Sequence, residues 1–199
     1  MEHDGAGSTK HRPQARVVRR QHAWLTREVA MGRLWIVLGL LIALPALADE
    51  NGKLAGADDK FAHTAWMVSV AEVQLGELAL KQTTHDDVKK FAQAMIDDHG
   101  KARDELDSIL KDANETHEAK LDAKHQSLHD KLAKLSGDAF DKAYVGAMVK
   151  GHTEALATFK KEEKSAKDSK LKAYAEKFAP VIAMHLEHAK ATQKALNKK

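Results

Sequence analysis

Each of four predicted helices carries one metal-capable side chain in the middle of an apolar stripe. The stripes are Val68-Glu72-Leu75-Ala79, Met95-His99-Ala102-Leu106, Met148-His152-Ala155-Phe159 and Phe178-Ile182-His185-Ala189. Residues three, four and seven apart share one face of a helix, so all four polar groups face inward when the helices pack. A carboxylate and three imidazoles buried without partners cost on the order of several kcal/mol. They must therefore pair with one another, with water or with a metal ion.

The segments between the stripes predict an all-α fold. From residue 58 onward the chain is rich in Ala, Lys, Leu and Glu and lacks strand-type alternation. The first helix is expected over about 58–82, capped by Asp58 or Asp59. The second opens at Thr84, with Asp87 at the capping-box position, and runs to about 113. A connector over 114–137 carries a shorter helix near 119–135 that Gly137 stops. Asp138 is expected to cap a third helix reaching about 164. Asp168 or Ser169 starts a fourth, which reaches about 197 with a kink at Pro180. Two tight hairpins joined by a long crossover predict a ferritin-like four-helix bundle with a short helix in the crossover. Hairpin turns at opposite ends would bring the four polar residues to mid-bundle, spread over about 12 Å along the axis.

The segment before the bundle reads as a leader. Residues 1–30 are polar, Arg-rich and without apolar periodicity, as expected of an upstream extension. Residues 31–48 read as a signal peptide: the basic start Met31-Gly32-Arg33, an apolar run from Leu34 to Leu44, a break at Pro45, and Ala46-Leu47-Ala48 as the cleavage site. Residues 49–57 form a linker to the bundle at 58–199. The apolar run is short of the roughly 20 residues that span a bilayer. A start at Met1, with a long basic leader or an uncleaved anchor, is the alternative to a start at Met31. Arg19-Arg20 fits a twin-arginine signal poorly. Removing the leader leaves no further apolar span, and the expected location is periplasmic or otherwise extracytoplasmic.

Charge and cysteine content narrow the function classes. Of the 32 basic and 29 acidic residues, the leader holds Lys10, Arg12, Arg16, Arg19, Arg20, Arg27 and Arg33 against Glu2, Asp4 and Glu28. The remainder is nearly neutral, so the alkaline isoelectric point gives no support to nucleic-acid binding. The absence of cysteine excludes disulfides, thiol catalysis, Cys-ligated zinc and an acylated lipoprotein anchor.

Several segments together carry a family resemblance. They are Ala71-Glu72-Val73-Gln74-Leu75-Gly76, Val88-Lys89-Lys90-Phe91-Ala92 through Met95 to Asp98-His99, Ser136-Gly137 through Phe140-Asp141 to Tyr144 and His152, and Pro180 through His185. From about Lys60 to Ala191 the chain resembles exported bacterial proteins grouped as domain of unknown function four-one-four-two, whose members often carry membrane or outer-membrane labels. The resemblance implies a ferritin-like fold and an extracytoplasmic location, and little about activity. The proline associated with that family's crossover is missing here.

The candidate sites follow from the stripes. Glu72, His99, His152 and His185 suit one zinc, copper, iron or manganese ion, with His188 as a possible substitute one turn after His185. The competing reading is a buried Glu-His hydrogen-bond network without metal. A second, weaker cluster is Asp122, His125 and His129, at i, i+3, i+7 on the connector helix, where His125 could equally roof the bundle. Asp141 is expected to cap, and Asp98 to orient His99 as its hydrogen-bond acceptor. Met67, Met95, Met148 and Met184 read as core filler, and Trp66 and Tyr144 as partly buried packing residues. No Glu-x-x-His pair occurs, which argues against a di-iron centre of the ferritin type. No nucleotide-cradling loop or catalytic triad is legible. The expectation is a non-enzymatic exported bundle of unassigned activity, in which the buried Glu-His network is favoured over a single bound metal ion. A metal-dependent redox enzyme and a purely structural, partner-binding bundle are the alternatives.

Overall fold

A computed structural model describes residues 53–198. The expected leader, cleavage site and first residues of the linker lie outside the described residues. Five helices occur in order: α1 Gly56–Gln82, α2 Asp86–Asp112, α3 Ala123–Ala133, α4 Gly137–Ser165 and α5 Ser169–Leu196. There is no strand among the described residues, and no helix there is long and apolar enough to cross a membrane.

The helices pack as two hairpins, α1 with α2 and α4 with α5. Further contacts join α2 to α5 and α1 to α4, while α3 lies on α1 and α4. Cross-helix bonds give the directions. Lys170 at the start of α5 reaches Asp112 at the end of α2, Lys177 meets Glu105, and His185 meets Asp98, so α2 and α5 are antiparallel. The two hairpin turns therefore stand at opposite ends, as the helix register requires if the four inward polar residues are to lie at one level.

Local chemistry fixes the helix ends. Asp168 caps α5, accepting from the backbone N–H groups of Lys170 and Leu171 at 2.8 and 2.9 Å. Asp58 does not cap its own helix. The N-cap of α1 is Ala55, and the Asp58 carboxylate accepts from Lys167 and Asp168 N–H at 2.9 and 2.6 Å, closing the far turn instead. The α2 cap is His85, not Thr84, and Thr83 Oγ1 receives the His85 N–H. Likewise α4 starts from Ser136 rather than Asp138. At the end of α2, Asn114 takes φ 62°. Its N–H bonds Lys111 O and the next N–H, of Glu115, bonds Leu110 O at 2.8 Å. This is the double closure of a Schellman turn, and it places Glu115 firmly.

The core divides into two apolar clusters. One holds Phe61, Trp66, Val70, Leu106, Phe159 and Ile182 among others; the other holds Leu75, Met95, Phe91, Tyr144, Met148 and Ala189. On every helix the inward polar residue falls in sequence between members of the two, so Glu72, His99, His152 and His185 form the seam. The large side chains on either side, each worth about 1.5–3 kcal/mol when fully buried, supply the stability that a polar seam does not. Trp66 and Tyr144 are fully buried rather than partly so, and Met184 is exposed rather than core filler. Met184 is one residue before the inward His185, which turns it to solvent.

At Gly76 the backbone of α1 lies close against α2. A methyl group there would meet Ala92 O and Ile96 Cγ1, each at 2.9 Å. Gly76→Ala should therefore lower stability by about 1 kcal/mol, overpacking of about 1–3 kcal/mol outweighing a helix-propensity gain of about 1 kcal/mol. Urea midpoints measure it, and an increase would contradict the close approach.

Candidate metal centre

Three of the four sequence-selected side chains converge. His99 of α2, His152 of α4 and His185 of α5 are buried, and their ring centroids form a nearly equilateral triangle with edges of 5.6, 5.4 and 5.5 Å. Each offers a ring nitrogen within 4.8 Å of the other two. Different helices contribute the three rings, each from the seam position of its stripe.

Hydrogen bonding assigns the protons of two of the three rings. His152 Nδ1 lies 2.9 Å from the Met148 carbonyl oxygen, which can only accept, so the proton is on Nδ1 and Nε2 carries a lone pair. His185 Nε2 lies 3.1 Å from Asp98 Oδ2. Asp98 thus accepts from His185 across the helix interface rather than orienting its neighbour His99. That leaves the lone pair of His185 on Nδ1, which is buried without a partner. Carboxylate or carbonyl acceptors behind an imidazole are how metal-ligating histidines are usually oriented.

The remaining contact is His99 Nε2 to His152 Nε2 at 3.4 Å. This exceeds the usual 2.7–3.2 Å of a good hydrogen bond. It matches two ligands bound at about 2.05 Å to a tetrahedral ion, which stand about 3.3 Å apart. Electrostatics favour the metal-competent protonation state. Burial pushes the His99 imidazole well below its ordinary value, with His152 and His185 adding to the effect. Burial also lowers His185 to about 4, against the opposing pull of Asp98. A neutral imidazole with a free lone pair is what a cation needs.

Glu72 stands beside the triangle but is not part of it. Its carboxylate faces α4 at Gly151, and one oxygen is buried without a partner. Burial raises its pKa, only partly offset by His152. Together with Ser69, His99, His152 and Tyr174 it lines a cavity of about 20 Å³, room for one water-sized ligand. Glu72 also borders an open groove of about 840 Å³ between α1, α3 and α4.

The other candidates separate. His188 is exposed, its ring edge-on to Phe91, and its nitrogens are not among the converging ligand atoms. Asp122, His125 and His129 do not gather. Asp122 is the N-cap of α3, accepting from both the backbone and Nδ1 of His125 at 2.8 Å, and those bonds hold its pKa below the ordinary value, against some burial. His129 turns to a different groove, beside Gln74 and Arg103. Asp141 caps nothing; it is buried on α4 with one unpartnered oxygen. A group that the stripes do not announce is His63, Glu115 and His117, whose ligand atoms also lie within 4.8 Å of one another. Two of these sit in the connector, where no helical period exists to reveal them.

Residues 43–192 match the family model described as Domain of unknown function (DUF4142). The chain belongs to this family. The match takes in all of α1 to α4, the three converging imidazoles and most of α5. Neither a curated protein nor a solved structure matches the chain.

Proposed function

We propose that the protein is an exported, ferritin-like bundle that holds one transition-metal ion through His99, His152 and His185, with Glu72 beside the fourth position. The observation that carries this reading is the 3.4 Å approach of two imidazole Nε2 atoms inside an equilateral group of buried rings. The unpartnered His185 Nδ1 supports it further, since a closed hydrogen-bond network would not leave a buried lone pair uncompensated at about 1–3 kcal/mol. Neutral imidazoles suit zinc, copper, iron or manganese. The ferritin-like topology is supported by the hairpin pairing and the crossover between α2 and α4. The extracytoplasmic location rests on the leader sequence. Metal analysis of protein taken from the periplasm, without chelator or nickel column, is expected to give close to one equivalent attributable to these residues. Less than about a tenth of an equivalent, with no stabilisation on adding an ion, would refute it.

A second reading is a metal-dependent redox enzyme. It is favoured by Glu72, which borders both the small cavity and the open groove and so lies where a substrate would approach an open coordination position. A carboxyl whose pKa is raised by burial can hold a proton there. A spectral response of the iron- or copper-loaded protein to peroxide separates this reading from passive metal holding.

A further inference from the structure

We propose that a second divalent-cation site lies on the surface, where His63 of α1 meets Glu115 and His117, and that an ion there clips the connector to α1. His63 Nε2 is 3.1 Å from Glu115 Oε2 and 3.2 Å from Asp59 Oδ1. His117 Nε2 is 2.6 Å from His63 Nδ1, and His117 Nδ1 is buried without a partner. An imidazole with two carboxylates binds zinc, manganese or iron(II), and the carboxylates balance the charge of a dication; His117, bonded to the far nitrogen of the His63 ring, orients that ring. Ligands bound at about 2.0–2.2 Å stand about 3.0–3.4 Å apart around an ion, the spacing of His63 Nε2 to both carboxylates.

The ligands are placed by contacts that need no ion. Asp59 and His63 lie one turn apart on α1. Glu115 follows Asn114 in the Schellman turn that ends α2. His117 packs on Trp66 in a tilted arrangement with ring centroids 5.0 Å apart, and the Trp66 indole N–H is held by Asp107 of α2. Without a metal the groups satisfy one another. His117 Nε2–H donates to His63 Nδ1, and His63 Nε2–H donates to the carboxylates. When a cation takes Nε2, His63 carries its one proton on Nδ1 instead and donates it to His117 Nε2, while the His117 proton moves to its unpartnered Nδ1, so both rings stay neutral and no net proton is lost.

The consequence concerns the connector. From Thr116 to Leu121 the chain lies in no helix, and His63 and His117 both line the groove that leads to Glu72. An ion at this position fastens that wall of the groove.

Zinc titration by calorimetry and trypsin cleavage after Lys120 test the proposal, on the full chain and on His63→Ala/His117→Ala. These side chains are at most half-buried, and an unchanged helical circular dichroism signal checks the fold. The variant is expected to take up one equivalent fewer than the parent. Zinc should slow cleavage about tenfold in the parent and not in the variant. His99→Leu/His152→Leu should keep the protection, so failure of the interior site and failure of this one give different results. Equal zinc uptake and equal protection in the surface variant and the parent overturn the proposal. So does zinc uptake by the parent without any protection, and so does the absence of zinc uptake altogether.

Discussion

In the His63→Ala/His117→Ala background, zinc at about a thousand times its dissociation constant should stabilise the bundle by about 4 kcal/mol, and His152→Leu should abolish that gain. For a domain of this size the stabilisation corresponds to a rise of roughly 10 °C in Tm. His152 is the sensitive choice because its Nε2 forms one side of the 3.4 Å approach and its Nδ1 is already held by Met148. The metal-free variant should be no less stable than its parent, since an apolar side chain of similar volume often replaces a buried polar group at little cost. Differential scanning calorimetry with and without zinc gives both quantities. An undiminished zinc response in the leucine variant would place the ion elsewhere.

Acid should destabilise the metal-free protein from about pH 6.5 downward, before ordinary carboxylates titrate. His185 falls from 6.5 to about 4 on folding, a gap worth about 3 kcal/mol. His99 is displaced in the same direction. In this window the unfolded chain binds the protons and the folded chain does not. Stability is therefore complete above pH 6.5 and declines as pH falls toward 4. Glu72 acts in the opposite sense. Its raised pKa favours the fold at low pH and opposes it as pH rises, which tempers the loss. Glu162, raised by burial and by Asp58, adds to the same counter-effect. Urea midpoints at pH 7, 5.5 and 4 should fall in that order, and a flat series would mean that water reaches the rings. Bound zinc should move the decline to lower pH, because protons must then displace the ion.

Much of the interior was legible because a helical period reports facing. The positions of His99, His152 and His185 within their stripes determined that they would meet once α2, α4 and α5 packed, and the register of the two hairpins brought them level. Glu72 obeyed the same period and reached the same seam, yet stands off the triangle. A stripe gives the direction of a side chain but not the ångström at which the helix stops. Capping residues were harder. Asp58 has the sequence position of an α1 cap, but its carboxylate is taken by N–H groups of the far turn, more than a hundred residues away. Asp122 resembled a ligand and serves as a cap. The contacts of His63 with Glu115 and His117 escaped the sequence because the connector has no period and the contact spans more than fifty residues.

The division of the three rings between hairpins sets an order of events. The first hairpin supplies one imidazole and the second supplies two, so neither alone can surround an ion. If the proposed ion is held by all three rings, its capture waits until α5 has docked on α2, and a bound ion then reports that the two hairpins have joined.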